Sequence, residues 1–130
     1  MMRSATCCCG DCALTIDGEP VLNVVCNCSS CKRRTGSAFG WSVYFADMHI
    51  TASRGNVHVY AKQGDNPFQR SFCANCGTTL FWKSENFMPE FTGVAGGCFA
   101  GTAIPEPTHS ASDGNRCAWF SLPTGWSTSP

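Results

Sequence analysis

A chain of 130 residues, 43% apolar and only 14% charged, has the length and the apolar content of one domain spanning residues 1–130. Nine basic residues balance nine acidic ones, so the chain lacks the positive field that holds a nucleic-acid backbone or an anionic membrane, and neither is expected as a partner. No run approaches the roughly 18 apolar residues of a membrane span, and the N-terminal "MMRSATCCCGDC" has no apolar centre of a signal peptide, which makes a reducing cytoplasm the expected location.

In such a compartment eleven cysteines point to metal rather than to a disulfide framework. The first cluster, "CCCG", offers Cys7 and Cys9 as a Cys-x-Cys pair. "CALTID" then alternates inward Cys12, Leu14 and Ile16 with polar or small neighbours and reads as a strand. "GEP" turns the chain, and "VLNVVC" resumes as a strand that delivers Cys26. "CNCSSC" places Cys26, Cys28 and Cys31 in six positions, and "SSCKRRTG" fits one helical turn ending at Gly36. The segments "FGWSVYF", "HITA", "VHVY", "FQRSF", "TTLFW" and "EFTGVAG" read as further strands, with turn clusters such as "ASRGN" and "KQGDNP" between them. Within this series "FCANCG" is a Cys-x-x-Cys knuckle at Cys73 and Cys76. In such a turn both sulfurs face one metal, backbone N–H groups hydrogen-bond to them, and Gly77 permits the left-handed conformation that follows. The late segment "AGTAIPEPTHSASDGNR" is loop-like and suited to an edge or lid. His49 and His58 fall at outward polar positions of strand patterns. His109, on the late loop, is a candidate acid, base or ligand. Arg70, Trp82 and Trp119 are expected to support the knuckle and the core.

Seven thiols at ligand spacing divide into four and three. A Cys-x-Cys pair and a Cys-x-x-Cys pair each supply two thiolates, so Cys7, Cys9, Cys73 and Cys76 would close a tetrahedral structural zinc site that ties the start of the chain to its middle. Cys26, Cys28 and Cys31 then form a triad whose fourth position is open, the arrangement of catalytic zinc. A competing assignment lets the triad borrow Cys98 or Cys117 and become a second closed site. Otherwise Cys8, Cys12, Cys98 and Cys117 read as small buried hydrophobes.

"CCCGDC", then "CNCSSCKRRTGSAFG", "RSFCANCGTTLFW" and a weaker terminal "PTHSASDGNRCAWFSLPTG" follow one another in an order that resembles the glutathione-dependent formaldehyde-activating enzyme family, which includes the centromere protein V relatives. The resemblance implies an all-β, zinc-stapled β-tent of stacked antiparallel sheets with short helical turns. It also implies zinc in both cysteine groups, as paired above. The activity implied is addition of formaldehyde to glutathione to give S-hydroxymethylglutathione, a carbon–sulfur lyase reaction.

An open zinc with three thiolates suits a thiol substrate, because the metal keeps the incoming sulfur deprotonated beside an aldehyde carbon. Lys32, Arg33 and Arg34 follow the triad and are candidates for a carboxylate of that thiol; Ser37 and Phe39 in "GSAFG" are candidates for the same pocket. No residue pattern marks a dedicated glutathione site. The rival reading is a non-catalytic zinc module that docks another protein, and an exposed sheet edge would allow a homodimer.

Overall fold

The computed structural model describes the whole chain, Met1–Pro130. Backbone pairing gathers its strands into two sheets. The small sheet is antiparallel, with β1 (Met2–Thr6), β2 (Ala13–Asp17) and β5 (Ile50–Arg54) in the order β1-β2-β5. The large sheet contains β3 (Leu22–Cys26), β4 (Gly40–Ala46), β6 (Val57–Lys62), β7 (Phe68–Cys73), β8 (Thr79–Ser84), β9 (Phe91–Ala95), β10 (His109–Ala111) and β11 (Ser127–Thr128). Its order is β11-β10-β3-β4-β9-β8-β7-β6. One α-helix, α1 (Ser29–Thr35), links β3 to β4 and ends on Gly36.

The all-β expectation holds, with two corrections. The large sheet is not wholly antiparallel, because β10 runs parallel to both β3 and β11. Its short "HSA" carries the fully buried Ser110 where apolar alternation would be sought, so backbone pairing rather than pattern makes the strand. The first strand, β1, also carries no apolar signal. Its inward residues are Ala5 and Arg3, and Arg3 is only 5% exposed. The Arg3 guanidinium donates to the Gly18 and Ala103 carbonyls and to both oxygens of Glu19, which supplies the partners a buried cation needs.

Period-two alternation gives the large sheet two different faces. On β4, Val43 and Phe45 point to a core shared with Ala5, Leu14 and Ile16 of the small sheet and with Leu80, Val94 and Phe99. Burial of each of the larger side chains contributes roughly 1.5–3 kcal/mol. Ser42 and Tyr44, the intervening residues of β4, face the other way, into a cavity on the far side of the sheet. Cys12, Leu14 and Ile16 are all buried as the alternation requires. Two aromatic and histidine placements differ from expectation. Trp119 is 76% exposed on a terminal turn, beside Phe120, and supports no core. His49 closes a 3₁₀ turn (Asp47–His49) rather than entering a strand, with its Nδ1 buried and unpartnered.

Trp82 lies across Gly93, its register partner on β9, and a Cβ at Gly93 would overlap the indole. Gly93→Ala should therefore displace Trp82 and cost about 1–3 kcal/mol, read as a lower urea midpoint at unchanged slope. An unchanged midpoint would show that the indole has room to move.

Candidate functional site

The four-sulfur cluster forms where both sheets end. Cys7 and Cys9 follow β1, and Cys73 and Cys76 belong to the knuckle between β7 and β8. All four Sγ atoms lie within 4.8 Å of one another. Cys7–Cys9 and Cys9–Cys73 are separated by 3.6 and 3.7 Å, close to the edge of about 3.8 Å of a tetrahedron with metal–sulfur bonds of about 2.3 Å. Backbone N–H groups are aimed at these sulfurs: Cys12 N donates to Cys7 Sγ at 3.2 Å, and Asn75 N and Cys76 N donate to Cys73 Sγ at 3.4 and 3.5 Å. Gly77 takes φ +79°, the left-handed turn that the knuckle needs. Hydrogen bonds from the Thr78 hydroxyl, first, and then from backbone N–H groups bring the Cys76 thiol down to about 5. Two of the four, Cys7 and Cys73, belong to the hydrophobic core.

The three-sulfur cluster is built by a strand end and a helix start. Cys26 is the last residue of β3, Cys28 is the N-cap of α1, and Cys31 lies in its first turn, where its N–H donates to Cys28 Sγ at 3.3 Å. Their Sγ atoms lie within 4.8 Å of one another. Charge distributes unevenly among them. Hydrogen bonds from the Cys26 and Cys31 thiols, aided by backbone N–H groups, pull Cys28 down to about 2, while the bonds to Cys26 and Cys28 push Cys31 up. Sulfurs this close cannot all ionise unaided, so the triad is a donor set that needs a cation to become three thiolates. Neither Cys98 nor Cys117 joins the cluster, and burial raises Cys98 to about 11. Both are half-buried and Cys12 is fully buried, but Cys8 is exposed. It projects outward between two cluster members, with its N–H on Thr78 Oγ1, which corrects the expectation of a buried hydrophobe.

The triad opens onto a cavity of about 640 Å³ on the outer face of the large sheet. Tyr44, Phe68 and Trp82 supply apolar wall, and Arg34, Lys62 and Arg70 supply charge. Arg34 follows Cys31 by three positions on α1, and its guanidinium stacks 4.3 Å from the Trp82 ring centroid. Its Nη2 is buried without a hydrogen-bond partner. Burial lowers the Arg34 pKa, and the charge of Cys31 opposes that shift. Arg70 is held from two sides, with Ser30 Oγ accepting from its Nη2 at 2.7 Å and its guanidinium 4.4 Å from the Phe68 centroid.

Other residues expected at this pocket fall differently. His109 lines it, but both ring nitrogens are engaged, Nδ1 with Ser127 Oγ at 2.7 Å and Nε2 with Ser129 Oγ at 2.9 Å. Lys32 turns away and donates to the Asn115 carbonyl at 2.5 Å, and Arg33 is exposed outside the cavity. Ser37 and Phe39 lie in a separate depression with Cys8 and Cys98, where Phe39 stacks on Phe120. Tyr44, Lys62 and Arg70 join the pocket without belonging to any of the cysteine motifs. The available signal was alternation: Tyr44 shares a face with Ser42, and Arg70 with Phe68.

The model of a family described as glutathione-dependent formaldehyde-activating enzyme matches residues 2–112, which hold all seven clustered cysteines. The chain belongs to this family. A crystal structure of a Rhodobacter sphaeroides protein superposes with a TM-score of 0.58 at 23% identity, covering 77% of this chain and 90% of that one, a likeness of fold. No curated protein matches. No helix is long and apolar enough to cross a membrane.

The two clusters should respond differently to loss of one sulfur. The four-sulfur cluster joins residues 64 positions apart, and metal closure of such a site carries folding free energy of roughly 10 kcal/mol or more. Cys76→Ser should therefore unfold or precipitate the protein. Cys28→Ser should leave a cooperatively folding protein with one metal fewer per chain by elemental analysis, and equal collapse of both variants would contradict the division.

Proposed function

We propose that the protein catalyses the reversible addition of a thiol to an aldehyde beside Cys26, Cys28 and Cys31, a zinc-dependent, carbon–sulfur lyase-type activity. The family's description names glutathione and formaldehyde for this kind of chemistry. The observation that carries the reading is a three-sulfur cluster with no fourth protein sulfur, opening onto a cavity large enough for a small thiol. Soft thiolate donors suit zinc in both clusters, and those of the four-sulfur cluster stand at tetrahedral spacing. Zinc held by the triad would supply a positive centre with a free position, at which an incoming thiol stays deprotonated near neutral pH.

The remaining work falls to the chain's own groups. Addition forms one S–C bond, converts the C=O double bond to a C–O single bond, and moves the thiol proton to that oxygen. Arg34 faces the triad with an unpartnered donor, so its cation offsets the surplus negative charge of three thiolates. Tyr44 is placed to handle the oxygen. Its Oη already accepts from Trp82 Nε1 at 3.0 Å, which leaves its own O–H free to donate. Burial raises its pKa, so the phenol stays protonated at neutral pH and can give its proton to the oxygen as negative charge develops there, regaining from solvent the proton that the thiol released. Trp82 and Phe68 exclude water from the same wall. The single α-helix serves this chemistry directly, since its first turn presents sulfur and its second presents Arg34.

Purified protein should carry two zinc ions per chain, and a folded preparation with paired disulfides and no zinc would end the reading. Exchange between free aldehyde and its thiol hemiacetal, followed by NMR, should run faster than the uncatalysed rate and lose that acceleration in Cys28→Ser. Tyr44→Phe should slow it about 100-fold, the scale of a lost general acid, without loss of zinc. If no thiol accelerates exchange in the fully zinc-loaded protein, a non-catalytic docking module takes the place of this reading.

A further inference from the structure

Away from the triad itself, the charge of the cavity is one-sided. Of the nine lysines and arginines, Arg3, Lys83 and Arg116 are paired with carboxylates. Arg34, Lys62 and Arg70 line the cavity, and none of them has a carboxylate partner. None of the chain's nine acidic residues lines it. Asp65 and Glu85, the nearest in sequence to its lining residues, stand outside. Arg34 lies against Cys31 of the triad, so a chain with balanced charge leaves two cations, Lys62 and Arg70, without an anionic neighbour around one hollow. Their mutual repulsion is a cost to the folded protein that an anionic occupant would remove.

The cations are also positioned. Arg34 is fixed against Trp82 and Arg70 against Phe68 and Ser30, so a guanidinium does not have to be ordered when ligand arrives. Lys62, at the end of the edge strand β6, lies 5.8 Å from the Phe68 ring centroid and extends the positive wall outward from Arg70. The cationic wall therefore begins at the triad, with Arg34, and runs across α1 and the β6–β7 hairpin. An occupant whose sulfur meets the triad would lay its remaining groups along this wall. An ammonium group on that occupant would be brought among cations with no carboxylate to receive it.

We infer that the cavity selects a thiol that carries acidic groups and no ammonium group, with Arg70 and Lys62 as the residues that set this preference. The inference rests on the thiol reading of the site and narrows it. A zwitterionic thiol such as glutathione, with its free amine, matches this wall less well than a mercaptocarboxylate does.

Two measurements on the zinc-loaded protein separate this inference from the reading beneath it. In the first, succinate and the neutral succinamide are titrated while the Trp82 indole N–H is followed by NMR. Succinate should shift that signal and succinamide should not, and Lys62→Glu and Arg70→Gln should each weaken succinate about tenfold. Lys62 is exposed, so its variant is expected to fold even if Arg70→Gln does not. In the second, the catalysed rate of hemiacetal exchange, divided by each thiol's own uncatalysed rate, is compared for mercaptosuccinate, 2-mercaptoethanol, cysteamine and glutathione. Mercaptosuccinate should exceed the other three by about tenfold or more, and Lys62→Glu should erase its advantage. Absence of a succinate shift, or cysteamine or glutathione equalling mercaptosuccinate, overturns the inference while leaving thiol addition standing. A succinate shift without acceleration for any thiol supports the anion preference and removes the thiol reading instead.

Discussion

The four-sulfur cluster is the constraint on which the rest of the architecture depends. It brings the end of β1 against the knuckle that opens β8, across 64 residues of sequence, so a metal held there would fix the small sheet against the large one. Half of it is core and half is surface: Cys7 and Cys73 are buried with the apolar residues, while Cys9 and Cys76 are exposed. Four thiolates in that position would be intolerable without a cation. With a cation they become a cross-link whose free energy belongs to folding. The shared core of Leu14, Ile16, Val43, Phe45 and Leu80 fills the space between the two sheets.

The opposite face of the large sheet carries the cavity. Alternation sends Val43 and Phe45 inward, and it necessarily sends Ser42 and Tyr44 outward. The same rule on β7 and β8 delivers Arg70 and Trp82 to the outer face. The triad sits at the edge of this face because β3 ends there and α1 begins there. Cys28 serves both tasks: as the N-cap it accepts the N–H of Cys31, so the helix start and the sulfur cluster are one structure. The buried Asn27 between the first two sulfurs fastens that turn to β10, donating to Ser110 Oγ at 2.8 Å and to the Ala111 carbonyl at 2.9 Å. The three-residue strand β10 is thereby tied directly to the cluster.

Much of this was legible in the sequence, for physical reasons that also mark where legibility stopped. Metal-ligand spacing is a local property, so the division of seven cysteines into four and three could be read from their motifs. The helical turn ending at Gly36 and the alternation of Cys12, Leu14 and Ile16 are equally local. Strand β1 was not legible, because its inward Arg3 finds its partners at Gly18, Glu19 and Ala103, contacts that only the fold creates. The short strand β10 was hidden for the same reason, since its buried Ser110 is satisfied by Asn27 and by Asp113. The basic run after the triad shows the limit most clearly. Lys32, Arg33 and Arg34 are adjacent in sequence, yet 100° steps around a helix put only Arg34 in the cavity. The cations that join it, Lys62 and Arg70, come from a hairpin roughly thirty residues further on.

Cobalt(II) replacement of zinc tests the central claim most directly, because the intensity of sulfur-to-cobalt charge transfer scales with the number of coordinated thiolates. Protein loaded with two cobalt ions should show one site indifferent to added mercaptosuccinate and a second whose charge-transfer band gains the intensity of one further thiolate on saturation. Cys28→Ser should abolish the responsive component and keep the indifferent one. A spectrum of two fully sulfur-ligated sites, neither changed by any concentration of thiol, would contradict the account of an open triad.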